Sequence, residues 1–151
     1  MNLKNKNVFI TGAGKGIGLA ITKNCLSNSS HVFALTRSKS DLRKFKNNKN
    51  ISIFYGDVKN KKIINKIFNY SKKIKHPINA LVNNAGERQR IKFKDITDRQ
   101  IRHIFDINFF SIFYICQVFC KMQKKNTLGS VINIGSIVGD KGFSELSGYG
   151  S

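Results

Sequence analysis

Cysteine is scarce in this chain, with Cys25, Cys116 and Cys120 alone, and none has a second cysteine or a histidine at metal-ligand spacing. That excludes a disulfide framework and a zinc site, and a reducing, cytoplasmic compartment is expected. Cys116 and Cys120 stand one helical turn apart and are expected as small core residues. Proline is scarcer still: Pro77 stands alone, and no repeat, low-complexity tract or linker divides the sequence. A single domain over residues 1–151 follows. No apolar stretch of signal-peptide length opens the sequence. The longest apolar segment, "FDINFFSIFYICQVFCKM", is interrupted by Asn108, Ser111 and Gln117 and falls short of the ~20 residues that cross a bilayer. No export and no membrane partner are expected.

Acidic residues are also few, Asp and Glu numbering 8 against 27 Lys and Arg, for a formal charge of +19. Such a surplus suits a nucleic acid, an acidic protein, a membrane surface or merely a lysine-rich composition. Many of the lysines fall in helix-like stretches such as "KNKKIINKIFNYSKKIK". There Ile63, Ile67 and Ile74 mark a buried face and Lys61, Lys62, Lys66, Lys72 and Lys73 decorate the rest, which describes a solvated surface. No nucleic-acid-binding module is present, nor aromatics interleaved with basic residues on a strand platform, so no nucleic-acid partner is expected.

What the sequence does contain is a regular alternation. "NVFIT" (7–11), "HVFALT" (31–36), "ISIFYG" (51–56), "INALVN" (78–83) and "SVINIG" (130–135) are apolar runs of strand length separated by stretches long enough for helices. "TDRQ" from Thr97 reads as a capping box opening the longest helix, over about residues 97–124. Near-continuous apolar strands joined by crossovers imply an α/β fold: a doubly wound, Rossmann-type parallel sheet with helices on both faces. The apolar residues of the long helix cover nearly its whole circumference, so both sides should be buried, one against the sheet and one against a partner subunit.

The first strand runs into "TGAGKGIG", whose Gly12, Gly14, Gly16 and Gly18 surround Lys15 and Ile17. Glycines here permit a tight turn, close approach of a pyrophosphate and close packing of the helix on the sheet. The helix beginning near Lys15 offers free N–H groups and its positive dipole end to phosphate. Strand, loop and helix agree, which is the context a glycine loop needs in order to count.

The spacing T-G-x-x-x-G-x-G resembles the short-chain dehydrogenase/reductase family, in its small single-domain branch. Four further segments resemble that family in order. "GDV" carries Asp57 and Val58, the aspartate contacting adenine; "NNAG" carries Asn84, Ala85 and Gly86, which support the sheet and touch the cofactor's ribose. "DIN" carries Asn108, matching the active-site asparagine, and "IGS" carries Ser136. Tyr149 follows Ser136 by the family's interval of thirteen residues. The resemblance implies hydride transfer between a nicotinamide cofactor and a carbonyl or alcohol, with Ser136 hydrogen-bonding the carbonyl oxygen and Tyr149 protonating it. A tyrosine of ordinary pKa, about 10, is a poor proton shuttle near neutrality. Family members lower it with a lysine four residues on, at what would be position 153. The chain is therefore expected to be the N-terminal part of a longer protein, with C-terminal strands missing, or else a shortened inactive paralogue.

Cofactor choice is read at the end of the second strand, where enzymes preferring NAD commonly place an acid on the ribose hydroxyls. Thr36 and Arg37 stand there instead, and Lys15 lies in the glycine loop, so NADP(H) is favoured over NAD(H). Among family members the likeness is greatest to 3-oxoacyl-[acyl-carrier-protein] reductases, and Arg88, Arg90 and Lys141 would suit an acidic carrier. A homo-oligomer of the complete protein through the helix around residues 97–124 is expected.

Overall fold

The computed structural model describes residues 3–123 and 128–151; Lys124, at the expected end of the long helix, lies outside them. Five strands form one parallel sheet: β1 (Asn7–Thr11), β2 (His31–Thr36), β3 (Ile51–Tyr55), β4 (Ala80–Asn83) and β5 (Ser130–Asn133). Their order is β3-β2-β1-β4-β5. β1 sits in the middle, Phe9 beside Phe33 on one side and Leu81 on the other. The first two strands have the expected bounds; the other three are one or two residues shorter.

Alternation along β1 sorts its side chains to two faces. Phe9 joins a core with Phe33, Leu35, Ile64, Ile67, Phe68, Leu81, Ile115 and Phe119, while Val8 and Ile10 join Val32, Ala34, Leu42 and Val82 on the other. Phe9 and Phe68 are wholly buried and meet edge-to-face with centroids 5.6 Å apart. Burying one such ring contributes about 2–3 kcal/mol, so these contacts, not helix propensity, hold α2 (Lys61–Lys73) on its face. The buried stripe of α2 is Ile64, Ile67, Phe68 and Ser71, so the expected face is rotated slightly and Ile63 and Ile74 flank it.

On the other face lies α1 (Gly16–Ser27), which buries Gly18, Thr22 and Cys25. The capping box forms as expected: Gln100 N–H donates to Thr97 Oγ1 at 3.3 Å and Thr97 N–H donates to Gln100 Oε1 at 2.9 Å. It opens α3 (Asp98–Phe105), which continues through a π turn at Asp106–Phe110 into α4 (Ser111–Met122). The whole is one helical run of 25 residues, Asp98–Met122, long and apolar enough to cross a membrane, where the sequence suggested a shorter segment. Ile104, Ile107, Ser111, Ile115 and Phe119 form its buried stripe, with Ile107, Ile115 and Phe119 in the core beneath the sheet. The opposite side is open: Phe109, Phe110 and Phe113 are more than half exposed, Phe109 meeting Phe110 edge-to-face and Phe113 in a stacked arrangement. Cys25 is buried in one core and half-buried Cys116 packs against the other, whereas Cys120 is exposed, so the expectation of a core residue fails for Cys120.

β5 is an exposed edge strand. Beyond it a single turn, α5 (Ser147–Gly150), closes the described chain. Two residues after Tyr149 are too few to nucleate a helix, so the sequence alone predicts a mobile terminus. The turn forms through packing instead: Gly148 is buried, and a Cβ placed there would meet Ile101 Cδ1 at 3.1 Å.

Candidate nucleotide cleft and active site

The strand order reverses between β1 and β4, and at that point a parallel sheet opens a crevice beyond its strand ends. A cleft of about 360 Å³ lies there. After β1 come Gly12, Gly14 and Lys15; after β2, Arg37, Ser38 and Asp41; after β3, Gly56, Asp57 and Val58; after β4, Asn84, Ala85, Gly86 and Glu87. Thr36 and Leu35 line its floor and Ile107 reaches it from the long helix. The expected cofactor residues thus converge, with the exception of Gly16, Ile17 and Gly18, which do not line the cleft; Ile17 is an exposed residue of α1.

Gly18 serves packing. A Cβ built on it would lie 2.1 Å from the Gly12 carbonyl oxygen, so only glycine lets α1 approach the loop this closely. Gly12 has φ +62° and Gly16 φ +49°, conformations that suit glycine. Lys15 caps α1 without any side-chain hydrogen bond, and no acid stands in the first turn. The helix start therefore leaves donors free beside the cleft, and the loop fits a phosphate there.

The "NNAG" segment acts as a clasp. Thr11 Oγ1 accepts from the N–H groups of Asn84 and Ala85, both at 3.0 Å, and Asn84 Nδ2 donates to the carbonyls of Thr11 and Gly12 at 3.1 and 3.2 Å. Asn84's amide thus ties the glycine loop to β4, and what it presents to the cleft is mainly backbone. Asn83 Nδ2 donates to Asn133 Oδ1 at 2.8 Å and so joins β4 to β5.

Asn108 sits in the π turn and holds the loop after β4 by both ends of its amide: Oδ1 accepts from Glu87 N–H at 2.9 Å and Nδ2 donates to Glu87 O at 2.8 Å. It lines neither the cleft nor the cavity next to be described. Its side chain positions the site's wall.

Two acids were not anticipated. The Lys15 ammonium lies 3.5 Å from Asp41, whose other oxygen accepts from Thr36 Oγ1 at 2.9 Å. Arg37 lies 3.6 Å from Glu87. An acid does therefore stand beside Thr36, five residues later in sequence. No periodicity announces it, because the loop after β2 folds back over the glycine loop. Lys15 and Arg37 share the cleft with Asp41, Asp57 and Glu87, so its lining carries one more acid than cations and holds three of the chain's eight acids.

A second cavity of about 590 Å³ brings together Ser136 and Tyr149 with Arg88, Arg90, Phe143 and Leu146. Ser136 Oγ accepts from Val138 N–H at 3.3 Å, which leaves its own proton to donate. Arg90 pairs with Glu145 at 3.2 Å, and Ile91 N–H donates to Glu145 O at 2.8 Å, which draws the loop after β4 onto the loop before α5.

The family model for short chain dehydrogenases matches residues 6–151. The chain belongs to that family. A ketoacyl reductase, HetN, of Nostoc sp. is 28% identical over 153 residues, with 97% of this chain and 53% of that protein covered. Carbonyl reductase [NADPH] 2 of Sus scrofa is 27% identical, with 100% of this chain and 61% of that protein covered. Among solved structures, 4-hydroxyisoleucine dehydrogenase complexed with NADH superposes with a TM-score of 0.84 at 26% identity, over 95% of this chain and 61% of that one. The chain thus spans between half and two thirds of the length of these relatives.

Proposed function

We propose that the chain is the nucleotide-binding part of an NADP(H)-dependent oxidoreductase that interconverts a carbonyl and an alcohol. The observation that carries the reading is a glycine-loop cleft at the reversal of strand order together with a cavity lined by Ser136 and Tyr149, consecutive residues lining the two, Glu87 the first and Arg88 the second. Gly12, Gly14, Asp57, Val58 and the backbone of Ala85 and Gly86 hold the dinucleotide. Lys15 and Arg37 select the 2'-phosphate. The bound nicotinamide supplies or accepts the hydride. Ser136 donates a hydrogen bond from its hydroxyl to the substrate oxygen and keeps its proton, while Tyr149 delivers the single proton to that oxygen as negative charge develops there. Asn108 keeps the loop after β4 in place.

Arg88 and Arg90 at the mouth of the Ser136–Tyr149 cavity support an anionic substrate, and a 3-oxoacyl group on an acidic carrier is the class we favour. The open Phe109–Phe113 face supports a homo-oligomer through the long helix, and the cytoplasm is the compartment we assign. Turnover is assigned to a protein of the relatives' length, the 151-residue chain holding nucleotide without reducing substrate. The test is an assay of that longer protein with a 3-oxo ester. NADPH oxidation that exceeds NADH oxidation, narrows with Arg37→Asp and vanishes with Tyr149→Phe is the expected result. A preference for NADH overturns the cofactor assignment.

A further inference from the structure

Lys15 and Arg37 each face a carboxylate, but the two carboxylates are held very differently. Asp41 is 9% exposed and fixed by the Thr36 hydroxyl at 2.9 Å. Glu87 is 38% exposed. Its backbone is pinned on both sides by Asn108, at 2.9 and 2.8 Å. Its carboxylate spans two cations or potential cations, Oε2 lying 3.6 Å from Arg37 Nη1 and Oε1 lying 3.3 Å from His103 Nε2. Glu87 is thus a carboxylate on a fixed stem with a second partner to turn to.

Resting on the nucleotide reading of this cleft, we infer that Glu87 is a specificity-determining residue for the cofactor: it holds Arg37 when the ribose carries no 2'-phosphate and yields Arg37 to the phosphate when one arrives. A phosphate monoester brings close to two negative charges to the guanidinium and binds it bidentately, so it displaces a single, half-exposed carboxylate. The displaced carboxylate keeps its contact with His103. Glu87 also repels the incoming phosphate, so the chain prefers NADP(H) less strongly than Arg37 and Lys15 alone would dictate. Asp41, buried and hydrogen-bonded, stays in place in both states.

Isothermal titration of the full 151-residue chain with adenosine 2',5'-bisphosphate and with ADP separates the cases, since only the first carries a 2'-phosphate, ADP having both phosphates on the 5' oxygen, and neither undergoes chemistry. Glu87→Gln is expected to tighten the 2',5'-bisphosphate by about twofold to fivefold, the range that a partly exposed ion pair supports, and to leave ADP unchanged. In an Arg37→Gln background the same substitution should lose most of its effect, only the direct repulsion of the phosphate remaining to be relieved. Equal changes for both ligands, no change for either, or an undiminished effect without Arg37 would overturn the inference. If the wild-type chain, folded by circular dichroism, binds ADP not even at millimolar concentration, the nucleotide reading itself fails.

Discussion

Gly18→Ala puts the packing of the glycine loop to a quantitative test. The added methyl would begin 2.1 Å from Gly12 O and 2.5 Å from Asn84 Nδ2, whereas real Cβ contacts essentially never fall under 3.0 Å. The obstacle is a backbone carbonyl that Asn84 already holds at 3.2 Å, so α1 and the loop must separate by about 1 Å. Two effects oppose each other. Replacing glycine within a helix contributes up to about 1 kcal/mol of stability, while overpacking costs about 1–3 kcal/mol and more where backbone must move. The clash wins, and a net loss of about 2 kcal/mol corresponds to a fall of about 4–8 °C in Tm for a chain of this size. Gly16→Ala supplies the contrast. Its Cβ would meet nothing within 4 Å, but φ of +49° costs an L-residue about 1–2 kcal/mol. Thermal unfolding followed by circular dichroism should therefore rank wild type above Gly16→Ala and Gly16→Ala at or above Gly18→Ala. A Gly18→Ala protein with the wild-type Tm would refute the reasoning, because the helix would then have room the structure denies it.

Three further outcomes are expected. Asn108→Ala removes both bonds to the Glu87 backbone, at about 1 kcal/mol each, and should raise amide exchange at Glu87 while leaving β1 and β2 protected; unchanged exchange would show that Asn108 does not hold the loop. His31 has its pKa lowered by burial and then by neighbouring His76, so folding favours its neutral form. The stability this confers is present above the ordinary histidine pKa and is lost as pH falls through the folded value; Tm should drop between about pH 7 and 5 and drop less in His31→Gln, and parallel profiles would count against it. Replacing exposed Phe109 and Phe113 by Glu should convert a self-associating species to monomer in sedimentation, and a wild type that is monomeric at tens of micromolar would remove the interface.

The fold was legible because parallel strands buried on both faces must read as short apolar runs, and "NVFIT" and "HVFALT" could be bounded to the residue. The glycine loop and Asn84 were legible by resemblance, since close backbone approach leaves glycine no substitute, and Ser136 and Tyr149, singled out by their interval, do line one cavity. Asp41 and Glu87 were not. Their role depends on two loops from different strands meeting, a contact no local pattern encodes. The π turn was hidden as well: one residue is added to a helical turn whose apolar sequence reads equally well as regular helix, and only the two bonds from Asn108 to Glu87 reveal what the extra residue accomplishes. The end of the described chain was misjudged for a related reason, because helix nucleation is a local property and the packing of Gly148 near Ile96 and Ile101 is not.

The central claim is that the crevice between β1 and β4 holds a nicotinamide dinucleotide, and NADPH fluorescence reports on it directly. Titrating the chain into NADPH should give a saturable change in emission that ADP reverses and that Gly14→Val abolishes, since any side chain at Gly14 would strike Asp41 and Thr36 within 2.5–2.6 Å and enter the cleft. A folded wild-type chain that leaves NADPH emission unchanged through the millimolar range, or a Gly14→Val variant that binds as well as wild type, would contradict the account.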